Sequence, residues 1–400
     1  MTHGYTGGLR GKRFLDLFAE MVRHCTLRYP EEWMSKWLFE LWKPPQYSDA
    51  DYVSEFAQIR SILSTLLPGA GMGGFGLEAG RSHHALETMT AEFSDAGILP
   101  DFWSLSADLI IRQESGLPML AMNPRHLAGR IRIIHETLER LTPGVPIYVT
   151  EWCSLFQDDL PLHASCYQSV FVVKSALELG RYCQRLGYWY FRNPAITRNE
   201  AFLYVNHFWS PSLTDSADIR YPAYYAFMFL QKLGTTLVSM GTDYCITRSA
   251  PDHYQILCFH YSHFAGSALP DQSRYESFSD TYQLFEEQPP VHRIFTISPL
   301  PSGNYRINRY MLDRFHGSIL DIWIGGFANS KCTESDYIRF IREPSTEIIR
   351  YREHSLKPEM RVIYIIVDHS LRIESPLAQF SVCLWDISRL IAADDPPRKP

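Results

Sequence analysis

The 400-residue sequence has no apolar run that approaches the ~18 residues of a membrane-spanning helix. Its first residues, MTHGYTGGLRGKRF, have no apolar core of the kind that a secretory signal peptide needs. These two absences argue against a membrane partner, and they predict a cytoplasmic protein.

A basic surface is also absent, because no stretch concentrates Lys and Arg and the net charge is −6. Proteins that bind nucleic acid usually carry a strongly basic patch, so we predict no nucleic-acid contact through this chain. The sequence is instead rich in apolar residues, with 46% hydrophobic and 14% aromatic residues. This length and composition predict two domains, or one barrel with an appendage.

The eight cysteines contain no CxxC pair, and none of them stands at a zinc-ligand spacing from a histidine. We interpret them as mostly buried thiols of a reducing compartment. The sequence accordingly predicts no metal site and no cofactor.

The first part of the chain, residues 1–233, alternates strand-like and helix-like segments, which is typical of a parallel α/β fold. The candidate strands are residues 37–42, 70–75, 101–111, 146–151 and 187–191. Apolar residues at helical spacing predict helices at 12–29, 48–69, 126–144, 166–187 and 221–233.

The pattern changes after residue 234. Short strands such as YQILCFHYSHF, GNYRINRYML and FSVCLWDI are separated by turns rich in Pro, Gly, Asp and Ser. This spacing predicts an antiparallel β-sandwich over residues 234–388. Residues 389–400 form a polar tail that we expect to fray.

Glu151, in the segment YVTEW, is the strongest candidate for chemistry. It follows a strand, and α/β barrels place their functional side chains at the carboxyl ends of strands. A structural carboxylate that hydrogen-bonds to a neighbouring loop is the alternative interpretation. Catalysis on a glycosidic bond needs a second carboxylate from another strand end, roughly 5–5.5 Å away in a retaining enzyme.

The segment FELWKPPQY, residues 39–47, is another strand end where such a group is expected. The strand is followed by Lys43, Pro44 and Pro45. The two prolines have no ionisable group, so this triplet has no carboxylate to offer.

Five motifs in the same order resemble glycoside hydrolase family 39, the β-xylosidase and α-L-iduronidase family. The family's acid/base strand reads Phe-Glu-Val-Trp-Asn-Glu-Pro, and Phe39–Trp42 is in register with its first four positions, with Leu41 in place of Val. The nucleophile strand reads Thr-Glu-Trp, which matches Thr150–Trp152. Tyr188 and Trp189 resemble the last barrel strand, YPAYYAFMFLQKL the helix before the sandwich, and FHGSILDIW the sandwich's His-Gly-Ser segment.

The resemblance implies a (β/α)8-type TIM barrel followed by an antiparallel β-sandwich. It also implies retaining hydrolysis of O-glycosyl bonds of the β-xyloside type in carbohydrate metabolism. Glu151 takes the nucleophile position, and the acid/base position falls on Pro44. Carbohydrate is the implied partner, and the implied substrate-binding positions are Trp42, Lys43, Ser106, Trp152, Trp189 and Asn193.

Four changes from the family pattern meet at this site. Besides the acid/base change at Pro44, Lys43 replaces the Asn that is expected to hold the sugar 2-hydroxyl. Ser106 replaces a His, and Arg192 with Asn193 replaces a Ser-Asp pair. Protonation of the leaving group is typically worth ~100- to 10,000-fold in rate. The changes therefore predict weak or lost activity, as in a pseudoenzyme.

The sequence provides only five identifiable strand–helix units, whereas the family's barrel needs about three more. The chain thus resembles the later part of a longer protein, either through a truncated reading frame or with the other strands on a separate polypeptide. Open strand edges also predict association, including homo-oligomers. Runs such as YYAF and YQIL resemble domains fused behind AraC-type helix-turn-helix regulators, which implies a sugar-sensing role.

Three hypotheses remain open at this point. The first is a glycosidase that still cleaves β-xylosides with Glu151 as nucleophile. The second is a sugar-binding or sensor module without catalysis, and the third is a nonfunctional fragment. Hydrolysis of an aryl β-xyloside separates the first from the others, and saturable sugar binding separates the second from the third.

Overall fold

A computed structural model describes residues 11–44, 46–79, 83–112, 117–157, 160–192, 212–214, 219–270, 278–327, 351, 356, 359–365 and 369–390. The α-helices within these ranges are α1 Lys12–Arg28, α2 Glu31–Met34, α3 Asp49–Leu66, α4 His83–Asp95, α5 His126–Leu141, α6 Cys166–Leu179, α7 Pro222–Gln231 and α8 Ile319–Phe327. Two 3-10 helices span Pro161–Ala164 and Phe278–Leu284. Within the described ranges, the helices are too short or too polar to cross a membrane.

The strands of the first part are β1 Leu38–Trp42, β2 Gly71–Glu78, β3 Trp103–Ala107, β4 Ile110–Ile111, β5 Met119–Leu120, β6 Ile147–Trp152, β7 Arg185–Tyr188, β8 Tyr190–Arg192 and β9 Ser212–Thr214. The strands of the second part are β10 Thr236–Met240, β11 Tyr244–Ala250, β12 His253–Phe259, β13 Val291–Ile297, β14 Gly303–Leu312, β15 Glu359–Ile365, β16 Leu371–Leu377 and β17 Val382–Arg389.

Five strands form one parallel sheet in the order β1-β2-β3-β6-β7. Helices α3, α4, α5 and α6 connect successive strands of this sheet. The arrangement is a partial TIM barrel, and it confirms the five strand regions predicted from the sequence. Because the strands are parallel, their carboxyl ends all lie along one edge of the sheet.

The helices cover one face of this sheet because the strands direct large apolar side chains toward them. Phe93 of α4 packs edge-on against Trp103 of β3, with the ring centroids 5.4 Å apart. Phe18 of α1 packs edge-on against Phe39 of β1 at 5.9 Å. Burial of one such phenylalanine is worth ~1.5–3 kcal/mol. These contacts fix which face of the sheet belongs to the core.

The opposite face, which we call the inner face, is turned away from these helices. Alternate positions along the strands bring polar side chains there, among them Glu40, Ser104 and Thr150. The sequence of each strand thus separates an apolar helix-facing row from a polar inner row.

Six antiparallel strands form the main sheet of the second part, in the order β10-β11-β12-β17-β14-β15. The pair β13-β16 packs on it, and alternate residues of β16 are buried. The side chains between the two sheets include Ile256, Ile307, Ile373 and Ile387. This architecture confirms the predicted antiparallel β-sandwich.

An aromatic cluster joins the barrel helices to the six-stranded sheet. The Tyr167 ring of α6 lies 4.4 Å from the Phe285 ring and 5.3 Å from the Phe264 ring. The Phe229 ring of α7 lies 6.0 Å from the Tyr310 ring of β14. One continuous apolar core therefore runs from the barrel helices into the sandwich.

Some predicted boundaries are wrong. The helix predicted over residues 166–187 ends at Leu179, and β7 begins at Arg185. The Gln184 side-chain oxygen accepts a hydrogen bond from the Ile147 N–H at 2.8 Å, and the Gln184 backbone N–H donates to the Ile147 carbonyl at 3.0 Å. These bonds align the chain with β6 before the strand begins, so the helix cannot continue.

Helix α4 and strand β16 are among the elements that were not predicted. Helix α4 buries Leu86, Met89 and Phe93, whose spacing is helical but sparse within a polar segment. Strand β16 contains Pro376 and charged residues at its outward positions, which obscured the alternation. Most cysteines are buried as predicted, since Cys25 is half-buried and the other six in the described ranges are fully enclosed.

Candidate active site

The carboxyl ends of the parallel strands form the edge of the sheet that we call the mouth. The strands end there at Trp42, Glu78, Ala107, Trp152 and Tyr188. The end of β1 and the end of β6, which the sequence analysis singled out, therefore lie on the same edge of one sheet.

Lys43 is the ionisable residue that follows β1. Its Nζ lies 3.0 Å from Asp49 Oδ1, at the start of α3, and the Thr88 hydroxyl donates to the other Asp49 oxygen at 2.9 Å. Pro44 comes next, and its carbonyl accepts a hydrogen bond from the Tyr47 N–H at 3.0 Å. The end of β1 thus presents a cation held by a carboxylate, and no proton donor at Pro44.

Trp42 is 40% exposed and lies against the backbone of β2. A Cβ at Gly76 would stand only 2.8 Å from the Trp42 ring, and Gly76 has a φ of +70°. Only glycine tolerates both conditions. The Gly76 N–H donates to the Ser104 hydroxyl at 2.8 Å, which fixes this turn of the strand. The backbone therefore supports one side of an indole ring that remains partly accessible at the mouth.

Glu78, Ser106 and Glu151 lie in one row across three neighbouring strands, because Glu78 pairs with Ser106 and Ser106 pairs with Glu151. Adjacent strands are ~4.8 Å apart, so the Cα atoms of the two glutamates are separated by roughly 10 Å. The sequence analysis named Ser106 and Glu151 but missed Glu78. The sequence feature that could have indicated Glu78 is a lone carboxylate directly after the glycine-rich run GMGGFGL.

A guanidinium accompanies this row. Arg112 donates two hydrogen bonds to Asp108, at 3.0 and 2.9 Å, and its Nε lies 3.9 Å from Glu78 Oε2. Asp108 also accepts from the Ile110 N–H at 3.1 Å. A cation that is already paired with Asp108 therefore lies beside Glu78.

Glu151 is 4% exposed. Its neighbour Thr150 donates a hydrogen bond of 2.7 Å to Glu40 Oε1 across the inner face. Burial and, secondarily, the charge of Glu40 raise the pKa of Glu151 to about 8. At pH 7 roughly nine-tenths of the molecules would carry the Glu151 proton. The side chain is then a hydrogen-bond donor, and it becomes an anion only above neutral pH.

The other predicted aromatic positions differ in accessibility. Trp152 is fully buried, with the Tyr188 ring at 5.8 Å and the Phe227 ring at 6.2 Å. Trp189 is half-buried, and its ring lies 4.8 Å from the Phe156 ring. Asn193 lies outside the described residues, as does the side chain of Arg192.

The raised pKa of Glu151 generates a prediction about stability. The unfolded chain loses this proton near pH 4.5, whereas the folded chain keeps it until about pH 8. The folded state binds more protons in this window, so the free energy of unfolding should fall as pH rises from 4.5 to 8. Glu151→Gln should remove a decline on the order of 4 kcal/mol, as measured by denaturant titrations at several pH values.

Glu139→Gln provides the matched control, because Glu139 is an exposed residue of α5. This variant should follow the pH dependence of the unaltered chain. An identical pH dependence in Glu151→Gln and the unaltered chain would contradict the raised pKa.

Comparison with known proteins supports a specific family. Residues 10–247 match the model of glycosyl hydrolases family 39. A curated HTH-type transcriptional regulator of Staphylococcus aureus is 23% identical over 180 residues, which are 44% of this chain and 22% of the regulator. A β-xylosidase of Caldicellulosiruptor saccharolyticus is 25% identical over 176 residues, 41% of this chain and 35% of that enzyme. The chain thus matches about a fifth to a third of the length of these relatives.

Solved structures support the fold. A family-39 enzyme from Xanthomonas axonopodis pv. citri aligns with a TM-score of 0.72 and 17% identity, covering 94% of this chain and 73% of its own. A monomeric β-xylosidase from Caulobacter crescentus aligns with a TM-score of 0.71 and 18% identity, covering 94% of this chain and 75% of its own. The family model spans more than half of the 400 residues, and the chain belongs to glycosyl hydrolase family 39.

Proposed function

We propose that the mouth binds a carbohydrate of the β-xyloside type and that it does not turn over natural glycosides by the retaining route. The observation that carries this proposal is Pro44, which stands at the position where the resemblance puts the acid/base glutamate. The alkoxide that leaves a natural glycoside needs a proton. A proline has none to give, and the neighbouring Lys43 ammonium is engaged by Asp49 at 3.0 Å.

The protonation state of Glu151, which takes the nucleophile position, supports the same conclusion. A nucleophile must be ionised to attack the anomeric carbon. Burial and Glu40 raise the pKa of Glu151 to about 8, so its protonated form predominates at neutral pH. A protonated carboxyl group donates a hydrogen bond to a sugar oxygen instead, which favours binding over catalysis.

The residues around the mouth suit a sugar. Trp42 offers a partly exposed indole ring, and Trp189 is half-buried beside the end of β7. Glu78 and Ser106 add groups that accept or donate hydrogen bonds to hydroxyls. We assign Trp42 and Trp189 to ring contacts and Glu78, Ser106 and Glu151 to hydroxyl contacts, whereas the fully buried Trp152 supports the mouth from below.

The relatives suggest the setting of this binding. A regulator from Staphylococcus aureus shares the matched segment, and a sugar-binding module that loses turnover is suited to sense its ligand. We therefore infer a sensor role in the cytoplasm, with DNA contact made outside these 400 residues. The competing hypothesis is an active glycosidase, and the hydrolysis of two substrates distinguishes it from a sensor.

Calorimetry with xylobiose tests the binding proposal. We expect saturable binding to the unaltered chain, and Trp42→Ala should weaken it roughly tenfold because the indole surface is lost. Trp33→Ala is the matched control, since Trp33 is 61% exposed but lies in α2, which precedes the amino end of β1. Equal affinities of both variants would contradict the placement of the ligand, and no heat with xylobiose or other neutral glycosides would contradict binding itself.

A comparison of two substrates tests the loss of turnover. Dinitrophenyl β-xyloside has a leaving group that needs no proton, so slow cleavage is expected, with a rate that rises with pH toward about 8 as Glu151 ionises. Xylobiose should remain intact, and Glu151→Gln should abolish the residual rate. Comparable efficiency on both substrates would mean that another group supplies the proton. Glu78 is the first candidate for that group, and the variant Glu78→Gln would test it.

The edge of the barrel at β1 supports a second part of the proposal. β1 is an end strand of the parallel sheet. Leu17 and Met21 of α1 are 51% and 46% exposed, and Leu38 and Trp42 of β1 are 37% and 40% exposed. An eight-stranded barrel needs three strand–helix units beyond the five of this sheet. We propose that such units, outside the 400 residues, cover this edge.

The isolated chain should then self-associate through the apolar edge. Replacing Leu17 with Glu and Met21 with Lys should shift sedimentation profiles toward the monomer, because the two charges interrupt the apolar surface of α1. Phe315→Glu is the control, since Phe315 is 89% exposed on the sandwich. A monodisperse monomer of the unaltered chain at high concentration would contradict an uncovered edge.

A further inference from the structure

A groove lies on the β-sandwich, away from the barrel mouth. Its volume is about 630 Å³, within the range of roughly 300–1,000 Å³ that is usual for small-molecule sites. All lining residues belong to four strands of the sandwich, β14, β15, β16 and β17. They are Arg309, Glu359, Met360, Arg361, Arg372, Glu374 and Trp385.

The groove carries one positive charge in excess, since it has three arginines and two glutamates. Arg309 donates to Glu359 at 3.1 Å, and Arg372 lies 3.0 Å from Glu374. Among the residues that the structure describes, no carboxylate oxygen comes within 4.0 Å of Arg361. The excess charge is therefore concentrated on Arg361.

The ring of Trp385 holds Arg361 in place. The Arg361 and Arg309 guanidiniums are each 5.5 Å from the centroid of this ring. The indole N–H donates to the Ser375 hydroxyl at 2.5 Å, so the ring itself has a fixed orientation. A guanidinium that is already ordered by an aromatic ring loses less freedom when it binds an anion.

The charge pattern also limits the kind of anion. The Glu359 and Glu374 carboxylates repel a doubly charged group such as phosphate, whereas a single negative charge would neutralise the groove. Carboxylate oxygens accept hydrogen bonds from hydroxyl groups, and a planar guanidinium binds a carboxylate through two parallel hydrogen bonds. Both features match a sugar that carries one carboxylate.

We propose that this groove binds a uronic acid residue, with the sugar carboxylate on Arg361 and sugar hydroxyls on Glu359 and Glu374. The ligand could be a free uronate or an acidic unit of a longer glycan, and the chemistry of recognition is the same. This inference concerns a site separate from the barrel mouth, and it does not depend on what the mouth binds.

Calorimetry on the full chain with D-glucuronate and D-glucose tests the proposal, because the two sugars differ at the carboxylate. Glucuronate should bind, and glucose should bind at least roughly tenfold more weakly. Arg361→Ala and Arg361→Gln should each weaken glucuronate binding roughly 10- to 100-fold. Both variants should retain the melting temperature of the unaltered chain, because Arg361 is exposed on the end strand β15.

Arg306→Ala is the matched control, since Arg306 lies on β14 at an odd spacing from Arg309 and so on the other face of the sheet. It should leave glucuronate binding unchanged. Equal binding of glucuronate and inorganic phosphate would overturn the assignment to a uronate. Loss of glucuronate binding in Trp42→Ala rather than in Arg361→Ala would move the ligand to the barrel mouth and overturn the proposal. If Arg361→Ala leaves xylobiose binding unchanged, the groove on the sandwich and the barrel mouth are separate sites.

Discussion

The hydrogen bond from Thr150 to Glu40 joins two strands that are not neighbours in the parallel sheet. β2 and β3 lie between β1 and β6, yet the two side chains meet at 2.7 Å. The contact requires the sheet to curve so that its inner face is concave. That curvature brings the charge of Glu40 toward Glu151, which already has little access to water. Burial is the larger cause of the raised pKa of Glu151, and the barrel shape adds the charge of Glu40 to it.

The cations near the mouth also affect what it can do chemically. Lys43 follows β1 and Arg112 lies beside Glu78, but Asp49 holds the first and Asp108 holds the second. Neither cation offsets the burial of Glu151, so this carboxyl group is stabilised as the neutral acid. In the proposed binding site, a neutral acid at one strand end and a proline at the other would keep hydrogen-bonding capacity without the charge separation of a retaining glycosidase.

Much of the fold could be predicted because the sequence patterns are locally strong. Ser48 caps α3, because its hydroxyl accepts a hydrogen bond from the Asp51 N–H at 3.1 Å. The five barrel strands were predicted from the alternation of strand-like and helix-like segments, and the sandwich from the spacing of its short strands and turns. Helix α4 was missed because only Leu86, Met89 and Phe93 mark its buried face. The end of α6 depends on Gln184 bonding to β6, which is a tertiary contact that periodicity cannot reveal.

The candidate site was predictable only in part, for a related reason. Glu151 and Pro44 could be named because their motifs are contiguous in the sequence. Glu78 enters the site through strand register, since its row with Ser106 and Glu151 exists only after β2, β3 and β6 are aligned. The pKa of Glu151 is raised by burial and, secondarily, by the charge of Glu40, which is more than a hundred residues away in the chain. Motif reading therefore identifies which groups the strand ends carry, whereas the pairing of strands determines which of those groups interact and in which charge state.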